Sequence, residues 1–271
     1  MTALRKLRPV ALWDVRTGPG WGPLPEMLLA LTLVTGLVDA VSILALGRVF
    51  VANMTGNVVF AGFALVGAPG FSLGASLFAL AGFLIGAYGG GFLTSRAGHD
   101  RALHIRAAAG AELGLLAAAL IVAGLSAGPA ATTGLLDLPK GTGAVGAGVT
   151  YALALLLAIA MGIQNSAARK LAVPDLTTTV LTMTLTGIGA DSPSGHRGHV
   201  TLIRRILVVA VMLAGGALGA WLVLHVGVVA PLALATGLLV IVAAAAVLAS
   251  RKSAEWRPVA PAKPVTATAA E

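Results

Sequence analysis

Eight apolar segments follow one another along the chain, and together they exclude a soluble fold. They lie at about 26–47, 50–68, 71–94, 107–127, 147–165, 177–190, 206–225 and 231–249. Of the 271 residues, 58% are hydrophobic and only 10% are charged, whereas a soluble domain carries about 25% charged residues. We therefore predict an all-α polytopic membrane protein with about eight transmembrane helices, within a range of about six to eight.

The distribution of Lys and Arg predicts the topology of these spans. With the N-terminus inside and eight crossings, twelve basic residues fall on the inner side and six on the outer side. This excess predicts that both termini are cytoplasmic. Three arginines in the loop 96–106 oppose that count, and the sixth apolar segment is short and rich in threonine. A re-entrant segment therefore remains an alternative to eight full crossings.

The chain divides into two membrane halves with polar segments around them. We expect a cytoplasmic tail at 1–25, which lacks the apolar core and cleavage site of a signal peptide. The first membrane half covers 26–127, a connecting loop covers 128–146, and the second half covers 147–249. The last segment, 250–271, is rich in Pro, Ala and Thr, and its composition predicts disorder.

The two halves repeat the same motifs in the same order. Gly36-x-x-Asp39 recurs as Gly162-x-x-Asn165, and RVFVANMTGNVV from residue 48 aligns with KLAVPDLTTTVL from residue 170. A GxxxG motif begins at Gly82 in the first half and at Gly215 in the second. Four spans per half predict a parallel repeat, whereas an odd number would invert the second copy. The GxxxG spacing is compatible with a homo-oligomer as well as with packing inside one chain.

Asp39 is the one ionisable residue in the apolar run Met27–Gly47. Insertion scales place the cost of such a charge at about 3 kcal/mol. Thr32, Thr35 and Ser42 share its helical face, because they lie seven and four residues before it and three after it. A polar stripe centred on an acid predicts a proton or cation site, and the alternative is a structural carboxyl bonded to a neighbouring helix.

The segments that follow each copy of this motif carry the remaining candidate binding residues. Gly and Pro in these segments are typical of broken helices, whose ends build substrate sites in many transporters. Thr55 would cap a helix that begins there, and two cations would attract an anionic substrate at the outer mouth. The alternative is that the cations snorkel and the amides and hydroxyls join helices. The candidates are Arg48, Asn53, Thr55 and Asn57 in the first copy, and Gln164, Asn165, Lys170, Thr177 and Thr178 in the second.

Several functional classes find no support in the sequence. The chain has no cysteine, no HExxH-type pair of histidines, no nucleophile–base constellation and no glycine-rich phosphate loop. We therefore predict no metal, no cofactor and no catalytic residues. The net charge of +8 does not indicate nucleic-acid binding, because the basic residues lie in short loops and tails between apolar spans.

At these motifs the sequence resembles the YoaK family of bacterial integral membrane proteins, a domain of unknown function. The resemblance lies in GLVDAVSILALGRVFVANMTGN in the first half, and in AMGIQNSAARKL and DLTTTVLTMTLTG in the second. It covers roughly 25–250. It implies a multi-pass protein of the bacterial inner membrane and names no activity.

The sequence favours a secondary transporter or channel-like carrier of a small solute or ion, with Asp39 as its coupling carboxylate. The alternative is a non-transporting membrane scaffold or partner subunit whose polar motifs hold helices together. An intramembrane enzyme acting on a lipid-soluble substrate is a third hypothesis, and the absence of a catalytic constellation disfavours it. The expected partners are the lipid bilayer and an unidentified small solute or ion.

Overall fold

The described part of the chain is entirely helical apart from turns and connecting segments. The computed structural model describes residues 20–126, 144–174, 176, 178–179, 181–190, 195–251 and 256–257. Its helices are, in chain order, α1 Leu24–Ala45, α2 Met54–Leu65, α3 Leu73–Arg96, α4 Arg101–Ser126, α5 Ala144–Leu171, α6 Leu181–Ala190, α7 Gly195–His225 and α8 Val229–Ser250. The predicted all-α polytopic architecture is confirmed.

Six of these helices are long and apolar enough to cross a membrane, and two are not. α2 has 12 residues and α6 has 10. At about 1.5 Å per residue neither covers the roughly 30 Å of a hydrocarbon core. The segments predicted at 50–68 and 177–190 are therefore short helices, although their composition resembles that of a span.

The chain enters and leaves the α2 region at one end of the helix bundle. The guanidinium of Arg48, just after α1, lies next to Gly70, just before α3, with 3.0 Å between Nη1 and the position that a Gly70 Cβ would take. Between them the chain turns inward, because the backbone N–H of Ala52 reaches Oδ1 of Asp39 at 3.4 Å. Asp39 lies six residues, or about 9 Å, before the end of α1. Residues 46–72 thus form a first re-entrant segment.

The opposite end of the bundle, called end A below, joins the start of α1, the start of α4 and the residues after α8. The guanidinium of Arg101 lies 4.1 Å from the centre of the Trp21 ring, and its backbone N–H donates to the carbonyl of Arg257 at 2.8 Å. α3 also ends there, five residues before Arg101. α1 and α3 therefore run in opposite directions, and the end of α1 marks end B.

Glycine contacts fix the direction of the second half. Gly82, Gly86 and Gly90 of α3 lie in order against Leu155, Ile159 and Ile163 of α5, so that α3 and α5 are parallel. Gly215 and Gly219 of α7 lie against Leu33 and Leu37 of α1, so that these two helices are parallel as well. α5 consequently ends and α7 begins at end A, and the described residues between 172 and 190 form a second re-entrant segment.

The two halves are therefore inverted, which differs from the expected parallel repeat. That expectation assumed four crossings per half, whereas the described residues of each half form three long helices and one short returning helix. An odd number of crossings reverses the second copy in the membrane. The observed order is α1, α3 and α4 in the first half, and α5, α7 and α8 in the second.

Each half contributes its first helix to the other half. α1 packs mainly against α7 and α8, and α5 packs mainly against α3 and α4. Glycine permits the approach, because a Cβ on Gly86 would collide with the backbone of Ile159. The same arrangement buries most of α1. The first helices of the two halves are thus the central helices of the bundle.

Candidate functional site

A central cavity of about 600 Å³ lies between the two re-entrant segments. Its polar lining comes from both halves: Asp39 from α1, Asn165 from α5, and Asn53, Thr55, Thr179 and Thr182 from the re-entrant segments. The volume falls within the range of about 300–1,000 Å³ that is typical of small-molecule sites. Both copies of the repeated motif thus meet at one cavity.

Asp39 is the member of the α1 polar stripe that lines this cavity. The hydroxyls of Thr32 and Thr35 donate to the carbonyls of Leu28 and Leu31, each at 2.9 Å. The Ser42 hydroxyl donates to the Asp39 carbonyl at 3.0 Å. Such bonds back to the same helix satisfy hydroxyls in an apolar environment.

The start of α2 and the Asp39 side chain line the same cavity. α2 begins at Met54, its N-cap residue is Asn53, and no side chain caps it. The expected cap by Thr55 is therefore wrong, because Thr55 already lies inside the helix. The free N–H groups and the dipole at this helix start favour negative charge. Together with the Ala52 N–H, they compensate part of the cost of an ionised Asp39 in the bilayer.

Asn165 occupies the equivalent place in the second half. It lies six residues before the end of α5, as Asp39 lies six residues before the end of α1. Its Oδ1 accepts a hydrogen bond from the Thr179 hydroxyl at 2.8 Å. A re-entrant segment therefore bonds to the motif residue in both halves, and an amide replaces the carboxyl in the second.

Asn57 lies outside the cavity and holds the first re-entrant segment in place. It is fully buried. Its Oδ1 accepts from the Phe50 backbone N–H at 2.8 Å, and its Nδ2 donates to the Phe50 carbonyl at 2.5 Å. Gly56 lies directly under the Phe50 ring, where a Cβ would collide with the ring atoms. The Gly56-Asn57 pair therefore fixes the position of Phe50, which lines the cavity.

The other predicted site residues that the structure describes do not line the central cavity. Gln164 is buried and donates to the Thr35 hydroxyl at 2.8 Å, which joins α5 to α1. Thr178 is buried, and its hydroxyl has no hydrogen-bond partner among the described residues. Arg48 is exposed at end B, with φ of 59° at the turn after α1. Thr177 lies outside the described residues, as does Asp175.

Lys170 belongs to a second cavity of about 520 Å³ toward end A. Arg169, Ser166 and Thr94 also line it. Phe83 and Asn165 line both cavities. These two side chains therefore separate a cavity that contains a carboxyl from one that contains two cations.

Two features of the interior were not predicted from the sequence. Glu112 of α4 is fully buried, and neither carboxyl oxygen has a hydrogen-bond partner in the described residues. Three aromatic rings, those of Phe50, Phe60 and Phe83, line the central cavity. The aromatic residues at 50 and 60 flank the VANMTGN motif, and this proximity was the available signal.

The comparisons with known proteins agree with a transmembrane protein. The sequence model of the family described as "Protein of unknown function (DUF1275)" matches residues 27–245. The "UPF0700 transmembrane protein YoaK" of Bacillus subtilis (strain 168) is 34% identical over 165 residues, which are 61% of this chain and 65% of that relative. The match thus covers slightly less than two thirds of the relative's length. No solved structure matches the chain. The predicted resemblance is confirmed, and the chain belongs to the DUF1275 family of YoaK-like transmembrane proteins.

Proposed function

We propose that the protein is a secondary transporter that carries a small solute or ion by alternating access. The observation that carries this proposal is the pair of cavities that adjoin at Phe83 and Asn165, between two oppositely oriented re-entrant segments. Inverted repeats around a site of discontinuous helices are a common architecture of secondary transporters. Exchange of the two halves' conformations would open one cavity and close the other.

Asp39 is the proposed coupling residue. It is the titratable group among the residues that line the central cavity. The cavity gives it access to a proton or a cation, and the start of α2 tolerates its charged form. Asn165, at the equivalent position, supplies hydrogen bonding without a second charge. One coupling charge per transport cycle follows from this asymmetry.

We also propose that end A faces the cytoplasm of a bacterial cell. Among the described Lys and Arg residues, Arg48 alone lies at end B, and the others belong to end A or to helix turns near it. This bias is the usual signature of a cytoplasmic side. The loop 96–106, whose arginines opposed an eight-span topology, lies at end A in the six-span arrangement. Both the entry into α1 and the exit from α8 would then be cytoplasmic.

A non-transporting scaffold is the second candidate. The buried Gln164–Thr35 and Asn57–Phe50 hydrogen bonds favour it, because both serve helix packing and neither lines a cavity. A scaffold, however, does not require a carboxyl at a cavity of this size.

Site-directed labelling distinguishes the two functions, and the natural absence of cysteine removes any background. We would introduce Asn53→Cys in the central cavity and Ser166→Cys in the second cavity, each alone, and label membrane vesicles of both orientations with an impermeant maleimide. The exposed residues Val66 at end B and Ser95 at end A, each replaced by Cys, serve as controls. Adding Asp39→Asn, which mimics a protonated carboxyl, should shift the two cavity rates in opposite directions. Unchanged or independent rates would rule out a carrier coupled through Asp39.

A further inference from the structure

The central cavity has one aromatic wall and one polar wall. Phe50 and Phe60 of the first half stack with ring centres 5.7 Å apart and an angle of 17° between their planes. Both line the cavity, together with Phe83 of α3. Residues 172–190 of the second half contain no Phe, Tyr or Trp. That half instead presents the polar side chains of Asn165, Thr179 and Thr182, beside the aliphatic side chains of Leu181 and Met212.

The carboxyl of Asp39 lies in the same cavity as these three rings. The face of an aromatic ring attracts cations, and a carboxylate supplies the opposite charge. Organic ammonium groups are recognised in this way, since their methyl or methylene groups need no oxygen ligands. A bare metal ion would require several oxygen ligands at short distance, whereas an organic ammonium ion can be bound by one carboxylate and the faces of aromatic rings.

We propose that the ligand of the central cavity is a small organic ammonium cation, bound between the Asp39 carboxylate and the rings of Phe50, Phe60 and Phe83. This proposal rests on the proposed transport function and names its substrate class. The amide of Asn165 and the hydroxyl of Thr179 would hydrogen-bond a polar group on the same ligand. The two walls thus fit a molecule with an alkylammonium end and a polar end.

One carboxyl then serves two cations in turn. When the ammonium ion enters, the Asp39 proton leaves to water, and when a proton returns, the ammonium ion is released. The charge of the site is unchanged in this exchange, and no covalent bond other than the O–H bond forms or breaks. The protein would therefore exchange protons for the organic cation.

Among the residues that the structure describes, Asp39 is the one titratable group that lines the cavity. α7 contributes Met212 to the cavity, and α5 contributes Asn165. The described residues of α2, α6 and α8 carry no titratable side chain. The titratable residues of α5 and α7 whose side chains are described do not line the cavity: Arg169 and Lys170 of α5, and His199, Arg204, Arg205 and His225 of α7.

Binding to the full chain in lipid nanodiscs tests the proposal. Choline, tetraethylammonium and benzylammonium would be titrated calorimetrically, with 3,3-dimethyl-1-butanol as the neutral isostere of choline. We expect at least one cation to bind in the micromolar to millimolar range and the alcohol not to bind. At pH values where the free Asp39 carboxyl is protonated, binding should release up to one proton per cation and weaken as the pH falls. Absence of binding by all three cations, or equal binding of the alcohol, would overturn the proposal.

Variants locate the site. Asp39→Asn should abolish binding and its pH dependence, whereas Asp39→Glu, which keeps the charge, should retain both. Phe60→Leu should weaken binding about 3- to 30-fold, the range expected for loss of a cation–π contact. Phe63→Leu is the matched control, because Phe63 packs near Phe60 with ring centres 6.2 Å apart but does not line the cavity. Equal effects of the two Phe variants would contradict the proposed wall.

The two proposals fail separately. Suppose that cation binding depends on Asp39 but the labelling rates of Asn53→Cys and Ser166→Cys do not shift in opposite directions. The proposed ligand would then stand, and the proposed transport function would be rejected. Opposite shifts in labelling without cation binding would retain the carrier and reject the organic cation. Every variant would first be checked for a monodisperse elution profile and a cooperative unfolding transition.

Discussion

The amide of Gln164 donates a hydrogen bond of 2.8 Å to the hydroxyl of Thr35, and this bond links the central helices of the two halves. Thr35 also donates to the carbonyl of Leu31 at 2.9 Å. The Oε1 atom of Gln164, by contrast, is buried without a partner in the described residues. The side chain therefore combines one favourable bond with one unfavourable burial.

Replacing Gln164 should show this balance. Gln164→Leu removes the bond and the unpaired oxygen together at similar volume, so we expect a change in stability of within about 1 kcal/mol. Gln164→Ala leaves a cavity as well and should cost about 2–4 kcal/mol. Thermal unfolding of the detergent-solubilised protein measures both. A Leu variant as unstable as the Ala variant would mean that the hydrogen bond itself dominates.

Asn57 should be required for the shape of the first re-entrant segment. Asn57→Ala removes two buried hydrogen bonds and leaves the backbone N–H and carbonyl of Phe50 unpaired. Because each buried unsatisfied group costs about 1–3 kcal/mol, we expect a loss of about 2–4 kcal/mol in unfolding measurements. Asn53→Ala is the control, since Asn53 is exposed and its side chain caps no helix. A similar loss in that control would show that the effect is not specific to Phe50.

Substituting two glycines of α3 should have different effects on stability, because only one of them packs against α5. Gly86→Ala places a methyl group against the Ile159 backbone, and we expect destabilisation of about 1–3 kcal/mol. Gly89→Ala meets no atom within 4 Å and should be neutral or stabilising by up to about 1 kcal/mol, because alanine favours helix. Chemical unfolding in mixed micelles compares the two. Equal effects would contradict the close packing of α3 on α5.

The pairing of Asp100 with Arg257 at end A should make stability depend on pH. Partial burial raises the pKa of the Asp100 carboxyl, but hydrogen bonds from Arg257 and from the backbone N–H groups of Leu103 and Ala102 lower it more, so that the net pKa lies below its ordinary 3.8. A lowered pKa in the folded state adds stability above the unfolded pKa, and this stability is lost as the pH falls through the folded pKa.

We therefore expect wild type to unfold at a higher temperature than Asp100→Asn at pH 7, and the difference to shrink below about pH 4. Because the Asp100 and Arg257 side chains are both partly exposed to solvent, high salt should also reduce this difference in unfolding temperature. A difference that stays constant from pH 7 to pH 3 would assign the effect to capping of α4 rather than to charge, since Asp100 also accepts from the Ala102 N–H at 2.9 Å.

Glu112 should be replaceable by an apolar residue with a gain in stability. Its carboxyl is buried without a hydrogen-bond partner in the described residues, and such burial costs about 1–3 kcal/mol in mutational data. We expect Glu112→Leu to raise stability by about that amount, and Glu112→Gln to change it little. The labelling rates in the two cavities should stay as in wild type. If a Glu112 variant is stable but Asp39→Asn no longer shifts the labelling of the two cavities in opposite directions, Glu112 takes part in transport.

The sequence predicted the long helices well, because apolar runs of bilayer length have few other structures open to them. It also placed Asp39 and Asn165 at equivalent positions. It did not predict the short helices at 54–65 and 181–190 as re-entrant, because returning segments and crossing segments have the same composition. The inverted repeat followed from that single difference.

The sequence did not predict which side chains point into the cavity, because this depends on the residue at which each short helix begins. Asn53 and Asn57 lie four residues apart, a spacing that would put them on one face of a continuous helix. The helix begins only at Met54, so that Asn53 points into the cavity while Asn57 turns back to Phe50. In the second half the helix begins at Leu181, four residues later than the threonine run predicted. The gapless alignment of the two segments therefore paired residues that are not equivalent in space.

The exchange of central helices between the halves has a consequence for how the protein is made. α1 is the first of the described helices to leave the ribosome, but its main partners, α7 and α8, are the last. Until they are synthesised, the small-residue face around Gly36 and the carboxyl of Asp39 have no native neighbour from α7. Native assembly must therefore wait for nearly the whole chain, as in other folds whose contacts join residues distant in sequence. Translation pauses or insertion factors that shield α1 would act on this interval.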